Sequence, residues 1–255
     1  MTARLSPVEP PSNKDAGSTR ARIYMIIALA SSKGGVGKST LTGCLAGAWA
    51  AAGKNVHIVD LDSNHTISRW FADGTQRPAS ITTAKPSPDQ LTEHLEAVIA
   101  ERNPDLILID VAGAYERALT LAAARAHLTL IPASPTEADI FEASRIARHI
   151  TAFFSAMGRK PLYRLVLNRV QPLSSSGQLF TLTEIIRLKL PRIKTRVMQR
   201  AAYEEMGLSG LPPHFADRKR PTVAKAIQEL DALKSDIEVM FQIAAHMGQE
   251  EGAAA

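Results

Sequence analysis

Apolar residues along this chain fall into two patterns that take turns. Short runs such as LILIDV (106–111) and LTLIPA (128–133) are apolar at most positions instead of alternating. A strand written this way is buried on both faces, as in a parallel sheet covered by helices on each side. The pattern predicts strands at 23–31, 55–60, 80–83, 105–111, 127–132 and 162–168, with a shorter candidate at 193–198. Longer stretches with helical spacing fill the gaps, at 38–52, 88–102, 115–126, 137–157, 179–190 and 221–247.

Two helix starts are legible. Ser87-Pro88-Asp89-Gln90 offers a capping serine, a proline at the first helical position and a glutamine at the third. Thr136 precedes Glu137 and Asp139, so its hydroxyl can cap while the acids meet the positive end of the helix dipole. The alternation implies an α/β fold: a single doubly wound, mostly parallel sheet with helices on both faces. No internal repeat or long linker divides it. The expected organisation is an N-terminal arm (1–21) rich in Pro, Ser and Asn and expected to be disordered, one domain (22–247) and a disordered tail (248–255).

Composition narrows the setting. With 45% apolar and 22% charged residues among 255, the chain reads as an ordinary globular protein. No run reaches the ~18 apolar residues of a membrane span, and no apolar stretch follows the basic residues near Met1 as a secretory leader would require. Cys44, the single cysteine, lies in an Ala/Leu-rich helical stretch and reads as core packing in a reducing cytoplasm. The seven histidines form no metal-ligand spacing.

The chemistry concentrates at SSKGGVGKST (31–40), which sits between a strong strand and a helix. It nearly fits the phosphate-loop form G-x-x-x-x-G-K-[ST], with Ser32 in place of the first glycine and a second lysine, Lys33, beside it. Gly34, Gly35 and Gly37, with Val36 among them, let the backbone wrap closely enough to aim N–H groups at phosphate. Lys38 can reach the β- and γ-phosphates, Ser39 can ligate Mg²⁺, and Thr40 can meet the α-phosphate. Asp60 and Asp62 fall at or just past the end of the second strand, on the sheet edge that carries this loop. DLILIDVAG ends its apolar run in Asp110, the form of a Walker B strand.

The form K-G-G-x-G-K-[ST] resembles the deviant phosphate loop (deviant Walker A) of the ParA/MinD family of P-loop ATPases, and the match from Lys33 to Ser39 is complete. The resemblance extends over about 23–240. It implies ATP and Mg²⁺ as cofactors and weak, partner-stimulated ATP hydrolysis. Lys33 would reach the phosphates of a partner subunit, making the ATP state a homodimer. Asp60 would stand near the Mg²⁺ shell, Asp62 beside the attacking water, and Asp110 would hold Mg²⁺ through a water. Asn168, at the end of LVLNRV, would contact adenine. Helix capping by Asp62 and turn formation by Asn168 are the ordinary alternatives. The DLDSNHTISRW form is similar to the VirC branch, whose members assist DNA transfer between cells.

Charge adds a candidate partner. Between residues 186 and 225 lie ten basic residues against three acidic ones, an excess larger than the +5 of the whole chain. Arg192, Lys194, Arg196, Arg200, Arg218, Lys219 and Arg220 are therefore expected to bind DNA backbone without reading sequence. The alternative is a solvated basic face. The function expected is a nucleoid-associated ATPase that partitions or positions DNA, helped by a ParB-like or relaxosome partner. A membrane-cycling MinD-like ATPase is less favoured, because the chain's last segment, SDIEVMFQIAAHMGQEEGAAA, is acidic and carries no cationic stripe. A small-molecule phosphotransferase on the same fold is the remaining class.

Overall fold

The structure, a computed structural model, describes residues 24–253 except 32, 73–76, 112, 114–115 and 173–175; the expected arm and Ser32 lie outside them. Six strands form one wholly parallel sheet: β1 (Met25–Leu29), β2 (Val56–Asp60), β3 (Ile81–Ala84), β4 (Leu106–Asp110), β5 (Leu128–Ala133) and β6 (Tyr163–Leu167), in the order β3-β2-β4-β1-β5-β6. Among the described residues eight α-helices connect and cover them: α1 (Lys38–Ala51), α2 (Thr66–Trp70), α3 (Leu91–Arg102), α4 (Glu116–Arg125), α5 (Glu137–Ala156), α6 (Ser176–Arg187), α7 (Ala201–Ser209) and α8 (Pro221–Ala253).

Strand alternation survives inside the all-apolar runs, because each face has its own partners. Ile27 and Leu29 of β1 join Leu45 and Trp49 of α1 and Leu230 and Leu233 of α8. Ile26 and Ala28 turn the other way, to Leu95 of α3 and Ala122 of α4. Beyond β5, Ile131 and Leu165 pack on Ile146 and Ile150 of α5 and Ile185 of α6. α1 is buried on nearly its whole circumference, which its run of Leu, Ala and Gly permits. Gly47 is where the chain needs no side chain: a Cβ there would lie 2.2 Å from Pro212 Cβ.

The expected caps form. Ser87 and Gln90 close a capping box, and Thr136 accepts from the Asp139 N–H at 3.2 Å. Residues 193–198 do not form the expected strand. They run beside β6, with the Ile193 and Val197 N–H groups donating to the Leu165 and Leu167 carbonyls, both at 2.9 Å, and with parallel bridges at Leu165–Arg192 and Val170–Met198. Side chains tie the segment to α8 as well, since the Thr195 N–H and hydroxyl both donate to Asp236 of α8, at 3.0 and 2.7 Å. α2 and α7 were not legible, being short, and α8 runs on into the segment expected as a tail.

Two histidines, His57 buried in β2 and His127 half-buried just before β5, brace the sheet. His127 Nδ1 accepts from the Ile26 N–H at 2.9 Å, completing the start of β1. The Thr82 hydroxyl directs its proton to the Val56 carbonyl (3.4 Å), so it accepts from His57 Nδ1–H at 2.8 Å. His57 Nε2 is then bare and accepts from His94 Nε2–H at 3.0 Å. Burial, His94 and Arg102 push the His57 pKa down to about 4, and burial lowers that of His127. A histidine held neutral this way stabilises the fold fully above its unfolded value near 6.5 and loses that contribution as pH falls toward 4. For His57 the contribution is on the order of 3 kcal/mol. Urea midpoints should fall as pH drops from 6.5 to 4, and His57→Gln should flatten part of that slope. A parent protein equally stable at both ends of this window contradicts the assignment.

Candidate nucleotide site

The sheet order reverses at β1: the chain leaves it for β2 beyond β4, then returns to place β4 and β5 on either side. Loops at the carboxyl ends of β1, β2 and β6 therefore converge at one switch point. They enclose a cavity of about 400 Å³ lined by Lys33–Thr40 together with Asp62, Asn64, Trp70, Asn168, Arg169, Gln199 and Tyr203, among others. Gly37, at φ 81°, ends the loop and begins α1 without a side-chain cap, so the first N–H groups of the helix are left for an anion.

Lys38 is the electrostatic centre. It is 8% exposed, with Nζ 3.4 Å from Asp110 Oδ1 and 3.7 Å from Asp62 Oδ2. Asp110 and Asp60 are register partners at the ends of β4 and β2, both fully buried. Burial raises the Asp110 pKa against the pull of Lys38 and the Ser39 hydroxyl, while Asp60 adds to the rise. Its Oδ2 has no hydrogen-bond partner among the described residues. A buried carboxylate oxygen left over beside a serine hydroxyl at a phosphate loop is a donor set that fits Mg²⁺.

Asp60, which ends β2, and Asp62, just past it, divide the work in an order that sequence did not disclose. Asp60 accepts from the N–H groups of Asp62 and Ser68, both at 3.1 Å, so the loop and the start of α2 are organised by Asp60. Asp62 keeps one oxygen on the Asn64 N–H (2.9 Å) and turns the other to Lys38. Capping of α2 thus belongs to Asp60, and Asp62 stands in the cavity wall. Asn168 is buried and donates from Nδ2 to the Val36 carbonyl at 2.8 Å. Its neighbour Arg169, which sequence reading passed over, donates to the Gly35 carbonyl. Gln199, Tyr203 and Trp70 were missed too, because the short elements that carry them have weak periodicity.

Lys33 stands apart at the rim. Its side chain is 43% exposed, and Nζ lies 3.6 Å from Asp139 at the start of α5. The basic residues separate by environment. Arg192, Lys194 and Arg196 are exposed and alternate with buried Ile193 and Val197. Arg218 and Lys219 are also exposed, near the start of α8. Arg200 is paired with Glu229, and Arg220 makes a two-pronged pair with Glu205 at 2.7 and 2.6 Å. No helix among the described residues is long and apolar enough to cross a membrane.

Comparison with known proteins agrees with this geometry. The family model for the CobQ/CobB/MinD/ParA nucleotide binding domain matches residues 27–213. The chain is similar to Protein ParA of Rhizobium radiobacter, 27% identical over 210 residues that cover 81% of this chain and 93% of the relative. It is also similar to the septum site-determining protein MinD of Helicobacter pylori, at 25% identity, covering 64% of this chain and 74% of the relative. Among solved structures, MinD of Pyrococcus horikoshii complexed with Mg-ADP superposes with a TM-score of 0.65, at 18% identity, over 87% of this chain and 98% of that one. The chain belongs to the CobQ/CobB/MinD/ParA nucleotide-binding domain family and is an ATP-binding and ATP-hydrolysing P-loop NTPase of the ParA/MinD kind.

Proposed function

We propose that this ATPase is a dimerising switch that binds DNA without reading sequence and partitions or positions DNA or a DNA-transfer complex. The observation that carries it is the placement of two lysines on one loop. Lys38 is enclosed by carboxylates, whereas Lys33 stands at the cavity rim, 43% exposed, paired at 3.6 Å with Asp139. A 3.6 Å contact to a lysine whose side chain is nearly half exposed is a weak tie, so Lys33 can exchange Asp139 for a phosphate oxygen presented by a second copy. Similarity to a ParA protein supports the reading.

In this reading the loop N–H groups, Lys38 and Thr40 hold the phosphates of ATP. Ser39 and Asp110 would hold Mg²⁺, with Asp60 behind them fixing the loop. When bound, the ion would supply positive charge to offset that developing on the β- and γ-phosphates. Asp62, kept in the wall by Asn64 and Lys38, accepts a hydrogen bond from the attacking water and orients it. Asn168 meets the adenine edge from its place against the loop. Lys33, acting across the dimer, places a second cation on the terminal phosphate, and loss of that phosphate weakens the dimer. A stimulating partner protein then sets the timing.

DNA binding falls to the exposed ladder Arg192, Lys194 and Arg196 and to Arg218 and Lys219. Arg200 and Arg220, whose charges are already compensated, support the fold around them.

Three outcomes test this. With a non-hydrolysable ATP analogue at saturation the protein should become a dimer by light scattering, and Lys33→Ala should bind the analogue yet stay monomeric. A monomeric parent would sink the switch. Asp62→Ala should retain ATP while its turnover falls by about 10²-fold or more, and normal turnover removes the water-orienting role. Lys194→Glu with Arg196→Glu should lower affinity for duplex DNA and flatten its salt dependence by about two phosphate contacts while sparing ATPase activity. Co-sedimentation with ATP, ADP or no nucleotide, with lipid vesicles in a parallel tube, reads this directly. Pelleting with vesicles in place of DNA would favour the membrane-cycling alternative.

A further inference from the structure

Arg169 lies outside the roles assigned so far, and its backbone is in an unusual state. It has φ 56°, the left-handed region that non-glycine residues seldom occupy. From there its guanidinium donates to the Gly35 carbonyl, and its Cδ lies 3.8 Å from where a Cβ on Gly37 would stand. Asn168, one residue earlier, donates to the very next carbonyl of the loop, Val36, at 2.8 Å. Adjacent residues at the end of β6 therefore grip adjacent carbonyls of the phosphate loop, from more than 130 positions away in sequence.

A planar trans peptide makes the consequence definite. The N–H that follows a carbonyl points the opposite way across the same plane. With the Gly35 and Val36 carbonyls turned toward β6, the N–H groups of Val36 and Gly37 are turned away from it. A loop that cradles an anion needs successive N–H groups free in one direction and its carbonyls held out of that direction. Glycines alone cannot ensure this, since Gly35 at φ 85° and Gly37 at 81° belong to residues with many accessible conformations. The glycines permit the nest, and a separate restraint must select it.

We propose that Arg169 is a positioning residue of the phosphate loop: by holding the Gly35 carbonyl outward, beside Asn168 on Val36, it preorganises the loop N–H groups for polyphosphate. The inference rests on the ATP-site assignment and adds to it a restraint on the anion end of the nucleotide. The left-handed turn at residue 169 is what lets two consecutive side chains reach the same loop.

The test separates the loop from the base. Arg169→Asn and Arg169→Gly both tolerate the left-handed backbone but lack the guanidinium, whereas Arg169→Lys keeps a cationic donor. Binding of fluorescent ATP should weaken about tenfold in the Asn and Gly variants, equivalent to ~1.4 kcal/mol, with partial recovery in the Lys variant. Tripolyphosphate, which has no base, should lose affinity in the same proportion, measured by its displacement of the fluorescent nucleotide. The Michaelis constant for ATP should rise more than turnover falls, while the melting temperature without nucleotide stays near that of the parent. Tripolyphosphate bound as tightly by the Asn and Gly variants as by the parent overturns the proposal, as does failure of Lys to recover any affinity. Lys38→Ala, run alongside, tells the two levels apart. If it also leaves ATP binding intact, the site assignment itself has failed, and if it alone loses binding, only the Arg169 restraint has.

Discussion

A buried ammonium cannot be left unbalanced, and the site is arranged around that constraint. Lys38 begins a helix that is enclosed on nearly every side, so its charge has little water to lean on. The sheet provides the balance by delivering Asp110 from β4, while the loop after β2 adds Asp62. The strand register that pairs Asp60 with Asp110 is thus an electrostatic arrangement as well as a hydrogen-bonding one. It crowds two carboxylates at one sheet edge, and a crowded, desolvated carboxylate favours a nearby cation. Lysine, magnesium and polyphosphate are complementary occupants of that field.

The same logic explains why the two loop lysines differ. Separated by four residues, they fall on opposite sides of the turn made by Gly34, Gly35 and Gly37. One points into the sheet edge, where carboxylates enclose it. The other lies at the rim, 43% exposed, where Asp139 pairs with it. A cation that is already fully balanced makes a poor bridge to another molecule, whereas a weakly paired one loses little by moving.

Much of this was legible in the sequence, for identifiable reasons. Largely apolar runs made β1, β4 and β5 legible, because burial on two faces leaves no polar alternation to confuse with a surface helix. The phosphate loop was legible because glycine spacing, the lysine and the hydroxyl residues are fixed by the shape of phosphate. The division of labour between Asp60 and Asp62 was hidden, since both are aspartates in one loop and only coordinates reveal which oxygens meet backbone N–H groups. Arg169 was hidden because nothing local marks a residue whose partner lies across the sheet. Residues 193–198 looked like a strand by their alternation. That alternation is genuine, but separated backbone bonds to Leu165, Leu167 and Val170, together with Asp236 of α8, anchor them in place of a continuous ladder. α7 escaped notice because its burial rests on only Ala202, Tyr203 and Met206.

The stretch from Arg192 to Tyr203 joins the two halves of the proposed function. Its first part turns Arg192, Lys194 and Arg196 to solvent, and its last part presents Met198, Gln199, Arg200 and Tyr203 to the nucleotide cavity. Glu229 of α8 ties the junction together, accepting from the Met198 N–H at 3.2 Å, from the Tyr203 hydroxyl at 2.9 Å and from the Arg200 guanidinium. A residue so heavily bonded resists independent movement of the parts it connects. A displacement of the cavity wall must then either carry the basic ladder with it or break bonds to a carboxylate that is largely buried, which is the costlier course. Under the proposed function, nucleotide state and DNA affinity would need no distant relay, because one short segment lines the cavity at one end and carries the basic ladder at the other.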